Sequence, residues 1–196
     1  MIKAIIFDVG GVLKITDVNA TKEKIISRFG ISSEQIMQSY NKYLPLWKTS
    51  QIFESELWHK TITDYVSDHQ NFQRVFQLNQ PVYQIAKKLE QLGYITAILS
   101  NVSFEDKIFN AQLNLYAPFK EVILSCDVNL IKPDPAIFKL ILKKLKIKTD
   151  EAVMIDDKKI NLDSAKGIGM HTIYFQDENQ LKNDLQKLLA VKLSEC

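Results

Sequence analysis

Cysteine is scarce in this chain of 196 residues, which carries two, Cys126 and Cys196. They stand far apart and outside any paired spacing. That excludes a disulfide framework and a thiolate zinc site, and it fits a reducing compartment. Charge of one sign is lacking as well: 25 Lys and Arg nearly balance 23 Asp and Glu, for a net charge of +2. No basic run is dense enough to make a nucleic-acid-binding tail. Long apolar runs are missing too. The opening stretch from Met1 to Phe7 meets Asp8 after a few residues, too early for a signal-peptide core or a membrane span. A cytoplasmic location is the expectation. There is no internal repeat and no low-complexity segment. What remains is a chain 46% hydrophobic and 24% charged, long enough for one full core with a modest insertion and too short for two large domains.

Five short apolar runs are present: Ala4 to Phe7, Ile95 to Leu99, Glu121 to Leu124, Ala152 to Ile155 and Thr172 to Phe175. Their length and composition predict buried strands. Between the later runs lie segments with helical spacing. One holds Val82, Ile85, Ala86, Leu89 and Leu92 and is closed by Gly93; another holds Ile137, Phe138, Ile141, Leu142 and Leu145, with Asp134 and Pro135 as cap and first turn. Strands alternating with helices imply an α/β fold, a Rossmann-like parallel five-stranded sheet covered by helices on both faces. The segment 14–80 breaks the alternation. It reads as an all-helical insertion after the first strand, leaving 1–13 and 81–196 as the core. Its Trp47, Phe53, Trp58 and Phe76 read as the interior of a small bundle. No residue of the insertion is assigned to a site.

In open parallel sheets the ligand crevice lies beyond the carboxyl ends of the strands. The residues there are polar in this chain: Asp8-Val9-Gly10-Gly11 after the first run, Ser100-Asn101 after the second, Lys132-Pro133-Asp134-Pro135 downstream of the third, and Asp156-Asp157 with Asn161 after the fourth. Taken singly, each reads as a turn, a helix cap or a solvated loop lysine. Taken together, Asp8, Asp156 and Asp157 at one end of a sheet would repel one another unless a cation sat between them. Oxygen ligands of this kind suit a hard ion such as Mg²⁺. Lys132, Ser100 and Asn101 add what a phosphate dianion needs.

These residues, in this order, resemble the four motifs of the haloacid dehalogenase-like superfamily: Phe7-Asp8-Val9-Gly10-Gly11-Val12-Leu13, Leu99-Ser100-Asn101, Lys132-Pro133-Asp134, and Ile155-Asp156-Asp157 through Asn161. The resemblance covers nearly the whole chain, and the insertion is similar to the C1-type cap of that superfamily. Within it, the motif pattern looks most like the branch of bacterial sugar-phosphate phosphatases that includes alpha-D-glucose-1-phosphate phosphatase. The resemblance implies that Asp8 attacks phosphorus and forms an aspartyl-phosphate. It implies Mg²⁺ held by Asp8, the backbone carbonyl of Gly10 and Asp157, with Asp156 and Asn161 on the ion or just behind it. Ser100, Asn101 and Lys132 would hold the phosphoryl oxygens. The implied substrate is a small phosphorylated metabolite, with no nucleic-acid or membrane partner, and the implied assembly is a monomer or homodimer.

One position departs from the family pattern. Most phosphatases of the superfamily carry an aspartate two residues after the nucleophile as general acid and base, and this chain has Gly10 there. Loss of such a group costs about a hundred- to ten-thousand-fold in rate. Three readings follow. The first is a phosphatase. The second is a dehalogenase-type hydrolase in which Asp8 attacks carbon, against which the Asp156-Asp157 pair argues. The third is a catalytically weak member acting as a binding module, supported by Gly10.

Overall fold

The computed structural model describes residues 1–67, 72 and 74–193; residues 68–71 and 73 of the insertion, and Cys196, lie outside them. In chain order the elements are β1 (Ala4–Phe7), β2 (Lys14–Thr16), α1 (Val18–Phe29), α2 (Ser33–Lys48), α3 (Glu54–Thr63), β3 (Phe76–Leu78), α4 (Gln80–Gln91), β4 (Ile95–Ser100) and α5 (Phe104–Gln112). There follow β5 (Glu121–Leu124), α6 (Ser125–Val128), α7 (Pro135–Leu145), a short 3-10 turn (Thr149–Glu151), β6 (Ala152–Asp156), α8 (Lys159–Gly167), β7 (His171–Tyr174) and α9 (Glu178–Leu189). The fold is α/β. Its main sheet has five parallel strands in the order β5-β4-β1-β6-β7.

All five strands coincide with the apolar runs, because a strand buried on both faces needs apolar side chains on both. The alternation of side chains then sorts them between two cores. Ile5 and Phe7 of β1 join Ile98, Val153 and Ile155 on the face carrying Val82, Ile85 and Leu89 of α4 and Leu181 and Leu185 of α9. Ile6 joins Ala97, Leu99 and Met154 on the opposite face, under Ile137, Phe138, Ile141 and Leu142 of α7 and Leu162 and Ala165 of α8. Local signals end the helices where the sequence places them. Asp134 caps α7 through the backbone N–H of Ala136 at 2.8 Å. After α4, Gly93 takes a positive φ of 88°, a conformation that costs glycine little.

The chain divides into two compact units, Met1–Leu13 with Leu78–Cys196, and Lys14–Gln77. The second unit is helical, with a core of Ile25, Ile31, Ile36, Trp58, Ile62 and Phe72. Trp58 is 1% exposed and packs against Tyr40 with the rings tilted, centroids 4.8 Å apart. A fully helical insertion was the expectation, and its two ends differ: β2 and β3 pair as a two-stranded sheet. Three-residue strands are too short to show a period of two, and their partners lie some sixty residues apart in sequence, so no local pattern marks them. Among the described residues, no helix is long and apolar enough to cross a membrane.

Candidate active site

Asp8 follows β1 directly and extends the ladder, its backbone N–H donating to the carbonyl of Ile155 at 2.9 Å. Because β1 is the central strand, flanked by β4 and β6, the residues ending those strands converge on it. Ser100 ends β4, and its Oγ donates to Asp8 Oδ1 at 2.7 Å. Lys132, in the connection between α6 and α7, is wholly buried, and its Nζ meets the same Asp8 oxygen at 2.9 Å and Asp156 Oδ2 at 2.6 Å. A lysine of zero exposure is tolerated only with charge partners. Burial by itself acts to lower the pKa of this ammonium, but Asp156 and Asp8 outweigh it and leave it raised.

The three acids fall together as the sequence suggests: Asp8, Asp156 and Asp157 each offer an oxygen within 4.8 Å of the others. Their surroundings differ. Asp156 accepts from Lys132 Nζ, from the backbone N–H of Lys158 at 2.9 Å, and from Asn161 Nδ2 at 3.1 and 3.0 Å. Asn161 therefore stands against Asp156. Asp157 is the opposite case, since its Oδ1 is buried without a hydrogen-bond partner. Burial first, and then the charges of Asp8 and Asp156, push its pKa up to about 8. An orphaned buried carboxylate oxygen beside two more carboxylates fits a hard divalent cation, which would satisfy the oxygen and offset the repulsion. Gly10 sits in the turn that leaves β1.

Asn101 lies apart from the acids in its bonding. Its Nδ2 donates to the carbonyl of Lys132 and its Oδ1 accepts from the backbone N–H of Lys132, both at 2.8 Å.

Two features escaped the sequence reading. Gly11 adopts φ +80°, and a Cβ there would fall 2.3 Å from Asp157 Oδ2, so only glycine fits beside that carboxylate. The second glycine of the Gly10-Gly11 pair was the available signal. Lys158, next to Asp157, interacts with Asp8, Asp157 and Asp156, while burial holds its ammonium below the usual lysine range. Adjacency to the Asp156-Asp157 pair was its only mark in the sequence.

A doubly wound parallel sheet with three acids and a buried lysine on its carboxyl edge defines the class of α/β proteins whose sites lie at strand ends. The chain belongs to the haloacid dehalogenase-like hydrolases, whose family model matches residues 5–175. It is 29% identical over 175 residues to the bifunctional epoxide hydrolase 2 of Rattus norvegicus, covering 84% of this chain and 32% of that protein. The chain thus spans about a third of that relative's length. It is 31% identical over 103 residues to a glyceraldehyde 3-phosphate phosphatase of Pyrococcus furiosus, covering 50% of this chain and 42% of the relative. A family enzyme of Bacteroides thetaiotaomicron, solved in complex with magnesium and inorganic phosphate, superposes with a TM-score of 0.63 at 21% identity, over 92% of this chain and 99% of that one. A predicted hydrolase of this family from Porphyromonas gingivalis gives a TM-score of 0.69 at 20% identity, over 98% of this chain and 100% of that one. At these identities the structural likeness speaks to the fold alone.

Proposed function

We propose that the protein is a Mg²⁺-dependent phosphatase that hydrolyses a small phosphate monoester through an aspartyl-phosphate on Asp8, with sugar phosphates the first class to test. The observation that carries this reading is the cluster of three carboxylates with a fully buried lysine on Asp8. Asp8 is the nucleophile. Its Oδ1 is held by Ser100 and Lys132, which fixes the carboxylate and leaves the rest of the group to address phosphorus. The same Ser100 hydroxyl and Lys132 ammonium are placed to receive phosphoryl oxygens as they approach Asp8. Asp156, with Asn161 behind it, anchors Lys132 from the other side. Asp8, the Gly10 carbonyl and Asp157 would hold the ion. When bound, a divalent cation would neutralise acid charge and polarise a phosphoryl oxygen. The sequence likeness to a glyceraldehyde 3-phosphate phosphatase of Pyrococcus furiosus supports the same reading. The partner proposed is a small phosphorylated metabolite of the cytoplasm, met by a monomer or homodimer, with no nucleic acid or membrane involved.

The test is hydrolysis of an aryl phosphate with and without Mg²⁺ by wild type and Asp8→Asn, followed by a panel of sugar phosphates. Metal-dependent turnover lost in Asp8→Asn is expected. Equal rates in the two proteins would remove the reading.

A further inference from the structure

The three residues that leave β4 are each tied sideways to a different part of the sheet edge. Ser100 reaches Asp8 at the end of β1. Val102 engages Ser125 through both main-chain groups: its N–H donates to Ser125 Oγ at 3.0 Å, and Oγ donates back to its carbonyl at 3.2 Å. Asn101, between them, spans the main chain of Lys132 in the same two-bond manner. The backbone on either side of Asn101 is thereby pinned, and its side chain reaches out from a fixed base.

Lys132 presents the complementary problem. Its ammonium is wholly buried and must meet Asp8 at 2.9 Å and Asp156 at 2.6 Å. Its Cα belongs to neither a strand nor a helix; it lies in a tight turn closed by the Asp134 N–H on the carbonyl of Ile131 at 2.8 Å, a bond that uses neither main-chain group of Lys132 itself. Buried main-chain groups need partners, and the Asn101 amide supplies one for the N–H and one for the carbonyl, imitating a rung of sheet. An amide committed at both ends to one residue's backbone is built to locate that residue.

We infer that the side chain of Asn101 is a positioning group, holding the main chain of Lys132 so that its ammonium meets Asp8, and is not spent on phosphate. Its consequence for phosphate rests on the phosphatase reading; the clamp itself does not. Two measurements separate them. Hydrogen exchange of the Lys132 amide, followed by NMR, is expected to accelerate about tenfold in Asn101→Ala, as loss of one ordinary hydrogen bond implies. Asn101→Asp keeps an oxygen for that N–H but sets a carboxylate oxygen against the Lys132 carbonyl, so its exchange is expected to be faster than wild type and no faster than in Asn101→Ala. Calorimetric titration with inorganic phosphate and Mg²⁺ is expected to show about tenfold weaker binding in Asn101→Ala and no further loss when Asn101→Ala is added to Lys132→Ala. Unchanged exchange in Asn101→Ala overturns the inference, as does a phosphate loss that adds in full to that of Lys132→Ala, which would mark direct contact. If Asn101→Ala does not fold, exchange in Asn101→Asp unchanged from wild type overturns it equally. A wild type blind to phosphate would refute the phosphatase reading and leave the exchange arm to decide the clamp.

Discussion

Lys132 and Gly11 carry opposite kinds of constraint. Lys132 is a charge that the protein buries completely and balances with two carboxylates. Removing one partner of such a group leaves the others uncompensated, at a cost of about 3–5 kcal/mol. Lys132→Ala is therefore expected to lower stability by that order in metal-free protein, read from the urea midpoint, and to abolish aryl phosphate turnover. Gly11 is constrained by space and by φ: the Asp157 carboxylate occupies the place of its missing Cβ. Gly11→Ala should shift Asp157 and weaken Mg²⁺ binding at least about tenfold, the equivalent of one lost charge-assisted contact, as isothermal titration with Mg²⁺ would show. Gly10 leaves no carboxyl group two residues after Asp8. An aryl phosphate has a good leaving group and depends less on a general acid than an alkyl phosphate does. The chain is expected to turn over the aryl ester faster, and equal kcat/KM on both would reveal another proton donor.

Elements were the most legible level of this protein. Each buried strand is a short apolar run because parallel strands hide both faces, and the caps at Asp134 and Gly93 are local chemistry that works without the rest of the fold. Asp134→Ala removes the bond to Ala136 N and should cost about 1 kcal/mol, visible as a lowered denaturant midpoint at unchanged m-value. The paired strands β2 and β3 are the counterexample. Nothing in Lys14-Ile15-Thr16 or Phe76-Gln77-Leu78 announces a strand, and the pairing exists only because the chain returns to its starting point after the helices. The signal is weak wherever an element owes its form to a distant partner.

For the whole molecule the acid cluster ties stability to pH and, on the proposed reading, to a bound cation. An aspartate raised from 3.8 to about 8 in the folded state contributes stability below its unfolded value, and that contribution fades as pH climbs through 8. Metal-free protein is therefore expected to lose on the order of 5 kcal/mol between about pH 4 and pH 8 through Asp157, by the worth of each pKa unit. Thermal unfolding in a chelator across that range would show it, and Asp157→Asn should flatten the slope. An ion bound at one hundred times its Kd adds about 2.7 kcal/mol. Because proton and cation compete for Asp157, the gain in Tm with Mg²⁺ should be larger at pH 8 than at pH 5. A shift independent of pH would place the ion elsewhere.

The sequence by itself determined the five strands of the main sheet, the helix caps at Asp134 and Gly93 and the set of polar residues at the strand ends, because period, apolar run length and capping chemistry act over a few neighbours. Only the tertiary structure decided how those residues divide the work. Ser100 touches Asp8 across 92 residues of chain, and that contact exists because β1 lies between β4 and β6. The same ordering turned Asn101 toward the backbone of Lys132, brought Gly11 against Asp157 and left one Asp157 oxygen unsatisfied. Those are distances between segments, and a linear chain does not carry them until the sheet has closed.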